Sequence, residues 1–161
     1  MKLILLSIAL ISSTIFTAQA KTRFASYNIR NFDYDQRSNT LTNKKQLVRT
    51  LEELDADMVA VQEINKKDKF IEMIEKNFQG KYKTVLTDCG GAHGQKLGFI
   101  YKVETFKLIK FEEDLRTSNV NNPGQWTCNQ GSRPLAVGTF KNLKTNETIV
   151  TIAVHLKAGG R

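Results

Sequence analysis

The sequence predicts a mixed α/β (α+β) fold, with helices in the first half of the chain and mostly strands in the second. Three observations carry this expectation. Two segments between residues 41 and 78 repeat apolar side chains at helical spacing. From Gly80 onward short apolar runs take over, separated by polar turns. Residues 135–140 and 149–154 carry apolar side chains at both odd and even positions, as strands covered on both faces do. With 40% apolar and 25% charged residues among 161, the composition excludes a collagenous, low-complexity or fully disordered chain.

Residues 1–20 stand apart. Met1-Lys2 is a short basic start, residues 3–11 are almost continuously apolar, and the segment closes on Ala18-Gln19-Ala20, an A-x-A cleavage pattern. This is the pattern of a secretory signal peptide cleaved after Ala20. Its apolar run falls short of the about 20 residues a membrane-spanning helix needs. Residues 21–161 are then the mature part, secreted or periplasmic. In an oxidising compartment the two cysteines, Cys89 and Cys128, are expected to form one disulfide.

Residues 22–29, with Phe24, Tyr27 and Ile29, read as a first strand, and residues 31–39 as a polar loop. Leu41, Leu47, Val48, Leu51 and Leu54 outline a first helix that Thr40 or Thr42 can cap. Asp55-Ala56-Asp57 breaks the pattern, and residues 58–61 read as a short strand buried on both faces. Phe70, Ile71, Ile74 and Phe78 outline a second helix, with Gly80 as its C-terminal cap. Strands are expected at 82–86, 97–101, 106–111, 135–140 and 148–156. The polar loops 88–95 and 112–132 each hold one cysteine, so a disulfide would tie loop to loop. Two helices can cover only one sheet face. The other face therefore calls for material this chain lacks, or for a second subunit.

Four positions could carry chemistry. Asn28 and Glu63 close the first two strands, and strand ends are where ligands gather in α/β architectures. An ionised carboxylate so close to a core needs a partner, and a hard, oxygen-ligated cation such as Mg²⁺ would supply one. Ion pairing of Glu63 with Arg30 or a lysine, and a turn capped by Asn28, are the ordinary structural alternatives. His155 closes the last strand, where an imidazole can act as acid or base or hold a phosphate, or simply be a hydrogen-bonded histidine. Arg133 enters a strand from a long loop, and its guanidinium fork suits phosphate oxygens, the alternative being a solvated loop arginine.

Taken together these positions resemble the endonuclease/exonuclease/phosphatase family, which includes the DNase I-like and exonuclease III-like nucleases. Ala25-Ser-Tyr-Asn28-Ile-Arg resembles its first-strand asparagine motif, and Leu54-Asp-Ala-Asp-Met-Val-Ala-Val-Gln-Glu63-Ile its metal-binding glutamate motif. Leu97-Gly-Phe-Ile-Tyr101 is similar to the strand after the second helix. Ser132-Arg133-Pro134-Leu135 and Thr151-Ile-Ala-Val-His155-Leu-Lys resemble the arginine entry to a core strand and the segment with the first catalytic histidine. The resemblance runs from about Arg23 to the last residue and matches only the N-terminal part of the family domain.

The resemblance implies a four-layer α/β/β/α sandwich of the DNase I-like type, truncated after the first catalytic-histidine strand. It implies hydrolysis of phosphodiesters or phosphomonoesters with Mg²⁺, or with Ca²⁺ or Mn²⁺. Glu63 would hold the metal, with Asn28 as a further metal and catalytic residue. His155 would be catalytic and Arg133 phosphate-binding. The later D-x-N motif and the terminal Asp-His pair do not follow His155, so a fragment of a longer product is expected. The balance of 24 Lys+Arg against 16 Asp+Glu favours nucleic acid, DNA ahead of RNA, as the partner. The alternatives are a phosphatase or sphingomyelinase-like phosphoesterase, or a non-catalytic nucleic-acid-binding fragment.

Overall fold

The computed structural model of the chain describes residues 21–35, 39–118, 128 and 131–156. The signal-peptide segment 1–20, the Asn121-Asn122-Pro123-Gly124 turn and Trp126 lie outside the described residues. No described helix is long and apolar enough to cross a membrane.

The helix–strand order follows the sequence pattern. It runs β1 (Phe24–Phe32), β2 (Tyr34–Asp35), β3 (Thr40–Leu41), α1 (Lys44–Leu54), β4 (Met58–Ile64), α2 (Lys67–Phe78), β5 (Tyr82–Leu86), β6 (Lys96–Lys102), β7 (Phe106–Asp114), β8 (Leu135–Asn142) and β9 (Thr148–Ala153). The cap of α1 differs from expectation. Asn43, not Thr40 or Thr42, accepts the Gln46 N–H at 3.0 Å, because β3 holds Thr40 extended three residues upstream. At the end of α2, Gln79 and Gly80 both take left-handed backbone, φ 46° and 83°. The loop expected over 31–39 instead contains the end of β1 and the two-residue ladder of β2 with β3.

Two sheets pack face to face. One has the order β1-β4-β6-β5, with β1 parallel to β4 and the other pairs antiparallel. The second has the order β7-β8-β9, all antiparallel. β4 shows why both faces read as apolar. Val59 and Val61 point to the helix side, into a core with Leu47, Leu51, Phe70 and Ile74. Met58 and Ala60 point the other way, against Phe99, Tyr101, Phe106 and Phe140. That second core is aromatic: the Phe140 ring stands edge-on to Phe99, Tyr101 and Phe106 at 5.7, 5.1 and 6.0 Å between centroids.

The layers observed are therefore helices, sheet and sheet. Among the described residues no element covers the outward face of the second sheet, where Val150 is 63% and Ile152 56% exposed on β9 and Ile109 is exposed on β7. This is the uncovered face the strand patterns called for. At the opposite end from the strand tips that carry the candidate site, Asp57 is buried and pins the start of β1 and the turn after β6. It accepts the Arg23 N–H at 2.8 Å and the Thr105 hydroxyl at 2.8 Å, and pairs with Lys102 and Lys144.

Candidate active site

The parallel strands β1 and β4 lose register at the same end. Asn28 pairs with Gln62 and Phe32 with Ile64, so residues 29–31 of β1 face Glu63 alone. On its other side β4 pairs Val61 with Gly98 and Ile64 with Lys96, so Gln62 and Glu63 face Leu97 alone. The extra residues are accommodated in left-handed backbone: Arg30 at φ 52°, Asn31 at 54° and Glu63 at 62°. Non-glycine residues at such angles are strained, and strain of this kind concentrates at functional sites. These paired β-bulges turn side chains at the strand tips toward one another.

The result is a carboxylate with three partners. Glu63 Oε1 accepts from Asn28 Nδ2 at 3.0 Å, and Oε2 accepts from the backbone N–H of Asn31 at 3.2 Å. His155 Nε2 stands 3.5 Å from Glu63 Oε1, with the two side chains 22% and 16% exposed. Asn28 also accepts the Arg30 N–H at 2.8 Å through Oδ1. The turn-capping alternative for Asn28 is thus real, and the same side chain still reaches Glu63. His155 lies two residues past the end of β9 rather than within it.

Arg133 precedes β8 and belongs to the same electrostatic neighbourhood. Burial lowers the pKa of its guanidinium, and the Glu63 carboxylate opposes that shift. Burial, with the positive charge of Arg133, pushes His155 below its ordinary value, and Glu63 pulls the other way. All four predicted residues are therefore gathered at one rim.

Sequence reasoning missed three amides. Asn31 Oδ1 accepts from Asn65 Nδ2 at 3.4 Å and from Gln95 Nε2. Gln95 is only 6% exposed. The available signal was an amide close to an apolar run, as in Glu63-Ile-Asn65 and Gln95-Lys-Leu97.

Among the described residues, buried side-chain atoms without a hydrogen-bond partner include Asn65 Oδ1, Gln95 Oε1, Arg133 Nε and His155 Nδ1. All four belong to residues of this rim. Unsatisfied polar atoms are costly in a finished core, so their concentration here suits a site that meets water or ligand. A cavity of about 310 Å³ opens beside Asn28, between Tyr27, Arg30, Leu41 and Asn43. The larger groove, about 750 Å³, runs along α1 past Lys44, Lys45 and Arg49 and includes none of the four predicted residues.

No described group of three His, Cys, Asp or Glu side chains could hold a metal by itself. The donor set still fits Mg²⁺, which keeps several waters and takes one or two carboxylates plus substrate oxygens. Glu63 supplies the carboxylate, and Asn28 stands within hydrogen-bond reach of it.

The disulfide expected between Cys89 and Cys128 is formed, across 39 residues of sequence.

The chain resembles solved structures over most of its length. An endonuclease/exonuclease/phosphatase from Bacteroides vulgatus superposes with a TM-score of 0.61 at 16% identity, covering 83% of this chain and 52% of its own. The chain has the endonuclease/exonuclease/phosphatase fold. The mannosyl-6-phosphatase of Bacteroides thetaiotaomicron shares this fold with a TM-score of 0.62 at 17% identity, over 82% of this chain and 50% of its own. So does D. rerio TDP2 complexed with single strand DNA product, with a TM-score of 0.57 at 14% identity, over 83% and 45%. The chain thus spans about half the length of these structures, consistent with an N-terminal part of the endonuclease/exonuclease/phosphatase fold. No family model and no curated protein matches it.

Proposed function

We propose that this chain carries the metal- and phosphate-binding half of an exported hydrolase acting on phosphoesters, with nucleic acid as substrate and DNA ahead of RNA. The observation that carries the reading is the convergence of Glu63, Asn28 and His155, with Arg133 in their electrostatic reach, on one rim of the sheet. Attack on phosphorus builds negative charge on the non-bridging and leaving oxygens, so the reaction needs fixed positive charge and donors there. Glu63, with help from Asn28, would hold a Mg²⁺ ion, and that ion would supply Lewis-acid polarisation of a phosphoryl oxygen.

The chain's own residues do the rest. Asn28 and the Asn31 N–H hold the Glu63 carboxylate in one orientation. Arg133 offers a planar fork to phosphate oxygens. His155 keeps a depressed pKa, so near neutrality its imidazole donates one N–H and carries no charge of its own. Excess Lys and Arg favour a polyanionic substrate, and the leader-like residues 1–20 favour export.

The test is plasmid nicking with Mg²⁺, with and without EDTA, on this chain and on a form extended through its downstream coding sequence. Cleavage that EDTA stops, and that Glu63→Gln and His155→Ala each reduce about 10²–10³-fold, supports the reading. Cleavage of a sugar phosphate or phospholipid but not of nucleic acid would replace the substrate. The likeness to the mannosyl-6-phosphatase makes a phosphomonoester the second substrate to try. Nucleic-acid binding indifferent to EDTA and to Glu63→Gln, without hydrolysis, would leave only a binding module.

A further inference from the structure

Two loops deliver residues to the rim. The β5–β6 connection ends at Gln95, and the segment between β7 and β8 ends at Arg133. The first loop is braced from below. The Thr87 N–H donates to Leu97 O at 2.8 Å, and the Leu97 N–H donates back to the Thr87 hydroxyl at 3.1 Å. Glu113 on β7 accepts the N–H groups of both Asp88 and Cys89. The Gln95 N–H closes the loop on Gly90 O at 2.9 Å, where a Cβ on Gly90 would sit 2.3 Å from Gly94 C.

The described end of the second loop is held to the turn that follows β7. The Thr117 hydroxyl donates to Arg133 O at 3.3 Å, and the Ser132 N–H to Ser118 O at 2.8 Å. The Arg133 Nε–H is buried without a partner, and the described hydrogen bonds of this segment fall on its backbone. Among the described residues the loops meet through Gly91 N–H to Cys128 O at 3.2 Å, Ala92 N–H to Gly131 O at 3.3 Å, and the covalent link. The fit is close, since a Cβ on Gly91 would lie 3.0 Å from Gly131 O and Ser132 O. Bonds of that length hold weakly against the entropy of a long loop. The covalent link adds to them a constraint that does not open with loop motion.

We propose that the Cys89–Cys128 disulfide is a positioning element of the phosphate site: it holds the β5–β6 loop against the segment entering β8 and so fixes Arg133 beside Glu63 and His155. This rests on the reading of the rim as a phosphate site. The disulfide acts through Arg133 and touches no substrate.

The experiment measures inorganic phosphate binding with Mg²⁺ by calorimetry, well below the melting temperature of every variant. The proteins are the full chain, C89S/C128S, Arg133→Ala and the triple variant. The expected result is about tenfold weaker binding for C89S/C128S and for Arg133→Ala, as for loss of a charge-assisted contact. The triple variant should be no weaker than Arg133→Ala. Gly91→Ala keeps the disulfide but crowds Gly131 and Ser132, and should weaken binding in the same direction. C89S/C128S with a lowered melting temperature and unchanged phosphate affinity would reduce the disulfide to a staple and overturn the proposal. Losses that multiply in the triple variant would overturn it too, as would a folded Gly91→Ala protein that binds as the wild type does. Absence of phosphate binding in the disulfide-intact chain is a different outcome: it removes the phosphate-site reading itself, and the positioning role with it.

Discussion

At the scale of single residues, Glu63 combines two demands that a sequence pattern cannot reveal together. Its carboxylate is the hub of the rim, and its backbone sits at φ 62°. Left-handed backbone costs a Cβ-bearing residue about 1–2 kcal/mol. Glu63→Ala and Glu63→Gly remove the same carboxylate but only the second relieves the backbone. Chemical denaturation should find the glycine variant about 1 kcal/mol more stable than the alanine variant, with Mg²⁺ binding lost in both. A second residue-scale prediction concerns Gly98, where a Cβ would lie 2.0 Å from the Val85 carbonyl oxygen of the neighbouring strand. Gly98→Ala should cost about 3 kcal/mol, read as a lowered denaturation midpoint, because backbone rather than a flexible side chain must move. Asn28, Glu63, Arg133 and His155 were legible because together, in order and context, they resemble the family's motifs, whereas each alone reads as an ordinary structural residue. Asn31, Asn65 and Gln95 were not, since their roles arise from a register offset between strands, which periodicity along one strand does not encode.

At the scale of elements, α1 and β4 were readable from spacing, and their boundaries were set by local hydrogen bonding. Asn43 took the cap that Thr40 and Thr42 were expected to provide, and Asn43→Ala should cost about 1 kcal/mol by thermal melting. The start of β4 depends on Asp57. Burial raises its pKa, but the Arg23 N–H, the Thr105 hydroxyl and the ammonium groups of Lys102 and Lys144 outweigh burial and hold it below the ordinary value of 3.8. The unfolded chain therefore binds a proton more readily than the folded one. The stabilisation is present above the ordinary carboxylate range and is lost as pH falls through the lowered folded value. A stability–pH profile should steepen below pH 3.8 in the wild type and flatten there in Asp57→Asn. Asp57→Ala, which leaves the buried Lys102 without this partner, should cost about 3 kcal/mol at neutral pH.

At the scale of the molecule, the strands that read as apolar on both faces explain the layer order and its open side. Val150, Ile152 and Ile109 form an exposed apolar surface on the outer sheet, and such surfaces drive association. Replacing Val150 and Ile152 with lysine should reduce light scattering and dye binding by the isolated chain. Stability should change by no more than about 0.5 kcal/mol per site, as at other exposed positions. The disulfide was legible from cysteine placement, whereas the two-sheet layering followed from the family resemblance, strand patterning having shown only that both faces need cover. The short β2–β3 ladder was not, because two residues per strand are too few to show alternation.

The offset ladder at the rim has a corollary for anyone who would tidy this sheet. Deleting two residues from 29–31 would let β1 run in step with β4, and the backbone would relax into ordinary extended pairing. The shortened protein should fold at least as willingly while Glu63 loses the neighbours that orient it. In this chain competence and regularity are alternatives, decided by two surplus residues.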